Sequence, residues 1–152
     1  MTHHRNSIAT CGVALFVGAA ILSAAEKPED AALAATQSWL KLVDSGDYSG
    51  SWDQAARAFK GAVKQAEWGQ VAASLRAPLG KLVSRKLKSR EYTEKAPTTR
   101  VIGGKVYTWG LPGKYVITEY DSVFANKASA VETVIPMADP DGVWRVSAYS
   151  VR

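Results

Sequence analysis

Histidine and cysteine are almost missing from this chain, and the few present are crowded at one end: His3, His4 and Cys11. Past Cys11 there is no thiol and no imidazole. The rest of the chain therefore has no disulfide, no Cys/His metal site, no cysteine nucleophile and no histidine base. A Gly-rich phosphate loop and a nucleophile elbow are also lacking. Asp139-Pro140-Asp141-Gly142 supplies only two carboxylates and reads as a turn rather than a calcium loop. Nineteen basic against 14 acidic residues leave a net charge of +5, too small an excess to imply nucleic acid. No catalytic residue, cofactor or metal is expected.

What is present first is an export signal. Met1 to Ser7 is polar and carries Arg5, Ile8 to Ala25 is uncharged and mostly apolar, and Ser23-Ala24-Ala25 places small residues where signal peptidase cuts. The expectation is a signal peptide over 1–25, cleaved near Ala25, and a periplasmic or secreted chain with no stable membrane anchor. An uncleaved anchor is the alternative, because Ile8 to Ala25 is just long enough to span a bilayer. Residues 26–152 fit a single domain, and 47% hydrophobic with 22% charged residues is a globular composition rather than a disordered one.

Helical periodicity comes before strand periodicity. Ala32, Thr36, Trp39, Leu40 and Val43 form a stripe between Glu29 and Asp44, and Gly46 stands at the C-cap. Ser51-Trp52-Asp53-Gln54 reads as a capping box, opening a stripe of Trp52, Ala55, Ala56, Phe59 and Val63. Trp68, Val71, Ala72, Leu75 and Leu79 repeat the spacing, with Gly61 as the expected break between the two stripes. From Lys81 the period is two. Strands are expected over Leu82 to Thr93, Tyr115 to Phe124, Val131 to Met137 and Val143 to Val151, with a Gly-Gly hairpin over Arg100 to Tyr107. This order is α+β: two or three N-terminal helices on a curved antiparallel sheet of about four strands.

A trial register can be set with Val116 opposite Met137 and Met137 opposite Trp144. One face of the sheet then reads Val116, Thr118, Tyr120, Ser122, Phe124, Val131, Thr133, Ile135, Met137, Trp144, Val146, Ala148 and Ser150, without a charge. That face is assigned to the helices, and Glu119, Asp121, Glu132 and Arg145 to the outside. A bulge at Gly142 would shift the last strand by one residue. Lys86, Lys88 and Arg90 are expected on one face of the first strand, beside Lys81 and Arg85. They either guard an exposed edge or grip anionic headgroups.

Several motifs together carry a resemblance: Trp39-Leu40-x-Leu-Val-Asp-x-Gly-x-Tyr48, Ser51-Trp52-x-x-Ala-Ala, Phe59-Lys60, Trp68, Arg76-x-Pro78-Leu79-Gly80, Leu111-Pro112-Gly113, Glu132-Thr133-Val134 and Asp141-Gly142-Val-Trp144-Arg145-Val146. In that order, over about Ala31 to Arg152, the chain resembles the domain-of-unknown-function family 4019. The resemblance implies an exported bacterial protein with a cystatin-like or nuclear-transport-factor-2-like cone, and it implies no activity. The Gly-Gly hairpin between Pro97 and Gly110 looks inserted relative to the family pattern, and the loop before Tyr115 looks shortened.

Two candidate surfaces follow. If the sheet curves around the helices, Trp39, Trp52, Trp68 and Trp144 with Thr118, Tyr120 and Thr133 can line a pocket for a small apolar ligand. Asp53, beside Trp52, is one candidate base there if its carboxylate turns inward, with Tyr120 polarising a carbonyl. The same residues can instead fill a closed core, with Asp53 at the surface complementing a helix dipole. The second surface is the hairpin, where Ile102, Gly103, Gly104, Tyr107 and Trp109 either make a protein or homodimer contact or fold back and lengthen the sheet. The expected role is non-catalytic binding of a small apolar ligand or an envelope protein. A structural homo-oligomer and, after it, a proton-transfer enzyme are the alternatives.

Overall fold

Helices precede strands in the computed structural model, which describes residues 27–95, 100–102, 105–107 and 112–152. The signal segment and its cleavage point lie outside them, as do Gly103, Gly104 and Trp109. Helix α1 (Pro28–Ser45) buries Ala32, Thr36, Trp39, Leu40 and Val43, the expected stripe. It starts with Pro28 at the first helical turn, where a missing N–H costs nothing, and ends at Gly46 with φ of 81°. The left-handed Gly46 sends its N–H back to Val43 O while Asp47 N–H reaches Leu42 O.

The second stripe does not form one helix. Helix α2 (Tyr48–Asp53) begins a turn earlier than expected, and its N-cap is Asp47, whose carboxylate accepts the Gly50 N–H at 2.8 Å. Ser51 is thus inside the helix and Gln54 is its C-cap, so the capping box is overruled. Helix α3 (Arg57–Ala62) follows after Ala56, which is extended (φ −60°, ψ 152°) because its N–H donates to Val146 O in the sheet. A tertiary hydrogen bond has split a helical pattern that periodicity alone reads as continuous. The next break is at Val63, two residues past Gly61, and helix α4 (Gln65–Arg76) then runs into a 3-10 turn at Ala77–Leu79.

Strands β1 (Leu82–Thr93), β4 (Tyr115–Phe124), β5 (Lys127–Ala138) and β6 (Trp144–Val151) form one antiparallel sheet in the order β1-β4-β5-β6. Between β1 and β4, β2 (Arg100–Ile102) and β3 (Lys105–Tyr107) pair only with each other. The two strands of the expected hairpin are therefore paired, and among the described residues they do not join the main sheet. Helix α1 crosses all four main strands, while α2 packs on α4 and α3 on β6. The architecture is α+β, with helices followed by a four-stranded antiparallel sheet.

The register differs from the trial by one residue. Tyr115, not Val116, lies opposite Met137, and Arg145, not Trp144, lies opposite Met137 on the other side. Tyr120 therefore faces Glu132, and Val134 faces both Thr118 and Tyr149. Strand β4 keeps its expected helix-facing row. On β5 the helix face carries Glu132 and Val134 in place of Val131, Thr133, Ile135 and Met137. A bulge in β6 between the partners of Ile135 and Pro136 restores Val146 to the helix side. Pro136 has no N–H for the ladder, so the bulge sits there and not at Gly142. On β1, Arg90 pairs with Thr118 on the helix side and Lys86 with Asp121 on the outer side, so the basic residues do not share a face.

Candidate functional site

Four aromatic rings occupy the space between helices and sheet. Trp39 and Trp68 lie 5.8 Å apart, Trp39 and Tyr149 5.4 Å, and Phe59 meets Trp68 edge-on at 5.0 Å. All four residues are buried, with Leu40, Val43, Tyr120, Val134 and Val146 around them. Both indole N–H groups end on one residue of α2: Trp39 donates to Ser51 O at 2.7 Å and Trp68 to Ser51 Oγ at 2.9 Å. Each buried ring contributes about 1.5–3 kcal/mol from apolar area, with about 0.5–1.5 kcal/mol more per ring pair.

The hydroxyls of the sheet differ in how they are engaged. Thr118 Oγ1 donates to Val134 O at 2.7 Å, and Thr133 is buried on the outer face, opposite Glu119 and Ser150. Tyr120 lies in the core with its hydroxyl near Thr118, but the geometry falls short of a hydrogen bond and the phenol has no partner among the described residues. Burial pushes the Tyr120 phenol above its ordinary range. Trp52 is half-buried, its indole N–H donating to Val63 O at 2.8 Å.

Asp53 is exposed, at the end of α2. The burial against Trp52 that would make it a base is not there, and Tyr120 is in the interior while Asp53 is at the surface. Structure does bring Asp53 together with Trp39 and Trp144. With Ala35, Ser38, Gln54 and the first residues of β6 they line a cleft of about 330 Å³ between α1, α2 and β6. Trp144 is half-buried and Val143 is 49% exposed, so the cleft has apolar surface in reach of solvent. Arg145, also in the lining, is held from behind: Nη1 reaches Asp139 at 3.0 Å and Asp141 at 2.9 Å. Hydrogen bonding to Arg145 holds the Asp141 carboxyl down at about 2.

A second polar centre lies on the helix side of the sheet, although alternation alone assigns Glu132 to the outside. Glu132, 0% exposed, accepts from Arg76 Nη1 (3.0 Å), Tyr149 OH (2.7 Å), Arg85 Nε (2.6 Å) and Ser122 Oγ (2.6 Å). Asp44 closes the ring, taking Arg76 Nη2 at 2.7 Å and Arg85 Nη1 at 2.6 Å. Burial works against both guanidinium charges, but their partners outweigh it and hold both arginines above their usual range. Burial, and then Glu132, raise the Tyr149 phenol. Arg76 also stacks 4.6 Å from the Phe124 ring. The sequence signal was Arg76 itself, which continues the buried Trp68–Ala72 row by one helical turn and so requires a buried anion. Asp44 and Arg76 border a groove of about 360 Å³ between the ends of α1 and α4, but their polar atoms are turned on each other.

Among the described residues no group of His, Cys, Asp and Glu is arranged to hold a metal ion, and no helix is long and apolar enough to cross a membrane. Of the hairpin candidates, Ile102 and Tyr107 sit on the paired strands, and Gly103, Gly104 and Trp109 lie outside the described residues. No curated protein and no solved structure matches the chain. A family profile does, over residues 35–149, which includes both tryptophan walls of the cleft and all four members of the buried ion-pair ring. The chain belongs to DUF4019, a family of proteins of unknown function.

Proposed function

We propose that this is an exported, non-catalytic binding domain that takes a ligand or partner at the cleft between α1, α2 and β6. The observation that carries the reading is the division of the aromatic residues. Trp39, Phe59, Trp68 and Tyr149 fill the interior, while Trp144 and Val143 remain in contact with solvent beside a concave surface. Apolar walls with a few polar groups at the rim suit recognition of a small or side-chain-sized apolar group. The signal-like segment ahead of the domain supports action in the periplasm or outside the cell, after cleavage near Ala25.

Assembly into a homo-oligomer is the second reading, favoured by a hairpin that pairs only with itself. Native mass spectrometry of the protein recovered from its own envelope, without refolding, tests both. The expected spectrum begins at residue 26 and shows extra mass or a partner on the wild type that Trp144→Ala loses. A bare monomer contradicts the binding reading, and a homodimer without other mass supports the second.

A further inference from the structure

One acidic residue in the cleft lining, Asp53, has no balancing cation among the described residues. The Asp53 carboxylate is exposed and accepts one hydrogen bond among the described residues, from Gln65 Nε2 at 3.0 Å. It enters no ion pair among those residues. Lys60, on the next helix α3, directs Nζ to the Asp53 backbone carbonyl at 2.7 Å and sits 5.6 Å from the Trp52 ring centre. On the opposite wall the situation is reversed: Arg145 has two carboxylates on one nitrogen, from Asp139 and Asp141. The cation of the cleft is thus neutralised from within, and the anion is left open. Between them lie Ala35, Trp39 and half-buried Trp144, which are apolar.

The geometry points to an organic ammonium as the guest: a protonated amine on an apolar body, its N–H groups donating to Asp53 and its body against Trp144. This ligand class rests on the cleft being the binding surface. The physical case is complementarity. A neutral apolar guest covers the indole but leaves the carboxylate needing water, and an anionic guest meets Asp53 as a like charge with no free arginine to offset it. An ammonium satisfies the carboxylate with a charge-assisted hydrogen bond, and an indole face attracts cations through its quadrupole. At a solvent-exposed site each term is small, so selectivity comes from having both in one concavity.

The test compares two probes of matched shape, phenethylammonium and 2-phenylethanol, followed by the indole N–H signals of the tryptophans in proton–nitrogen NMR. The expected result is a saturable shift at Trp144, with the ammonium binding about five-fold tighter than the alcohol at low salt. Asp53→Asn should erase that preference without weakening the alcohol, while the buried Trp39 and Trp68 signals report an intact fold. Equal affinity for the two probes, or a preference that survives Asp53→Asn, overturns the ammonium assignment and leaves the cleft standing. No shift at Trp144 with either probe overturns both.

Discussion

Tyr120 shows how far a single residue can be read without its neighbours. Its position on the helix-facing row of β4 is legible from alternation alone. Whether the hydroxyl serves a ligand or the core depends on what stands opposite, and that is decided by packing. In the structure Thr118 has donated its proton to Val134 O, and among the described residues no group aligns with the phenol. A buried hydroxyl without a partner is a cost, so Tyr120→Phe should leave the urea midpoint unchanged or raise stability by about 1 kcal/mol. A loss of more than that would mean the hydroxyl has a partner and that the interior is more polar than described. Ser51 is the opposite case. Sequence reasoning read it as a cap, because Ser-x-x-Gln has that form, yet its oxygens anchor two tryptophans from α1 and α4. No local pattern encodes a bond between residues 12 or 17 positions apart. Asp53 was legible as a functional candidate through its place beside Trp52, but Trp144, not Trp52, is its aromatic companion in the cleft.

At the level of elements, the expected ends of Leu82–Thr93 and Tyr115–Phe124 match the structure, while β5 starts at Lys127, four residues ahead of the expected Val131, because the turn at Asn126 is tighter than its sequence suggests. Register was read one residue out. The rule that an uncharged face belongs to the core failed because two arginines from α4 and β1 bring matching charge to Glu132. Once those partners exist, a carboxylate can sit at 0% exposure inside the sheet–helix interface. The ring of Asp44, Arg76, Arg85 and Glu132 also ties α1, α4, β1 and β5 at one point. A one-residue slip of β5 would turn Glu132 outward and leave both guanidiniums unpaired, so the ring opposes alternative registers. Glu132→Gln keeps shape but removes the anion, and should destabilise the fold by about 3 kcal/mol in urea unfolding. A change below about 1 kcal/mol would show that the arginines find water or another anion, and that the ring does not hold the register. Strand β1 stands at the end of the sheet order, with register shifts at Val83 and Lys88 and exposed lysines, features that oppose pairing of an edge with a neighbour.

For the whole molecule, the fold class followed from the order of periodicities, because a stripe at 3.6 and an alternation at 2 demand different backbones. What did not follow was where the concavity lies. Sequence shows which residues are aromatic, and only packing decides which of them meet each other and which meet solvent. Here Trp39, Phe59, Trp68 and Tyr149 meet each other, and the proposed function places the ligand at the surface rather than among them. Xenon pressurisation of crystals tests this most directly, because xenon enters dry apolar cavities that no polar probe reports. No xenon is expected among Trp39, Phe59, Trp68 and Tyr149. A well-occupied xenon site between those rings would contradict it and return the ligand to the space between helices and sheet.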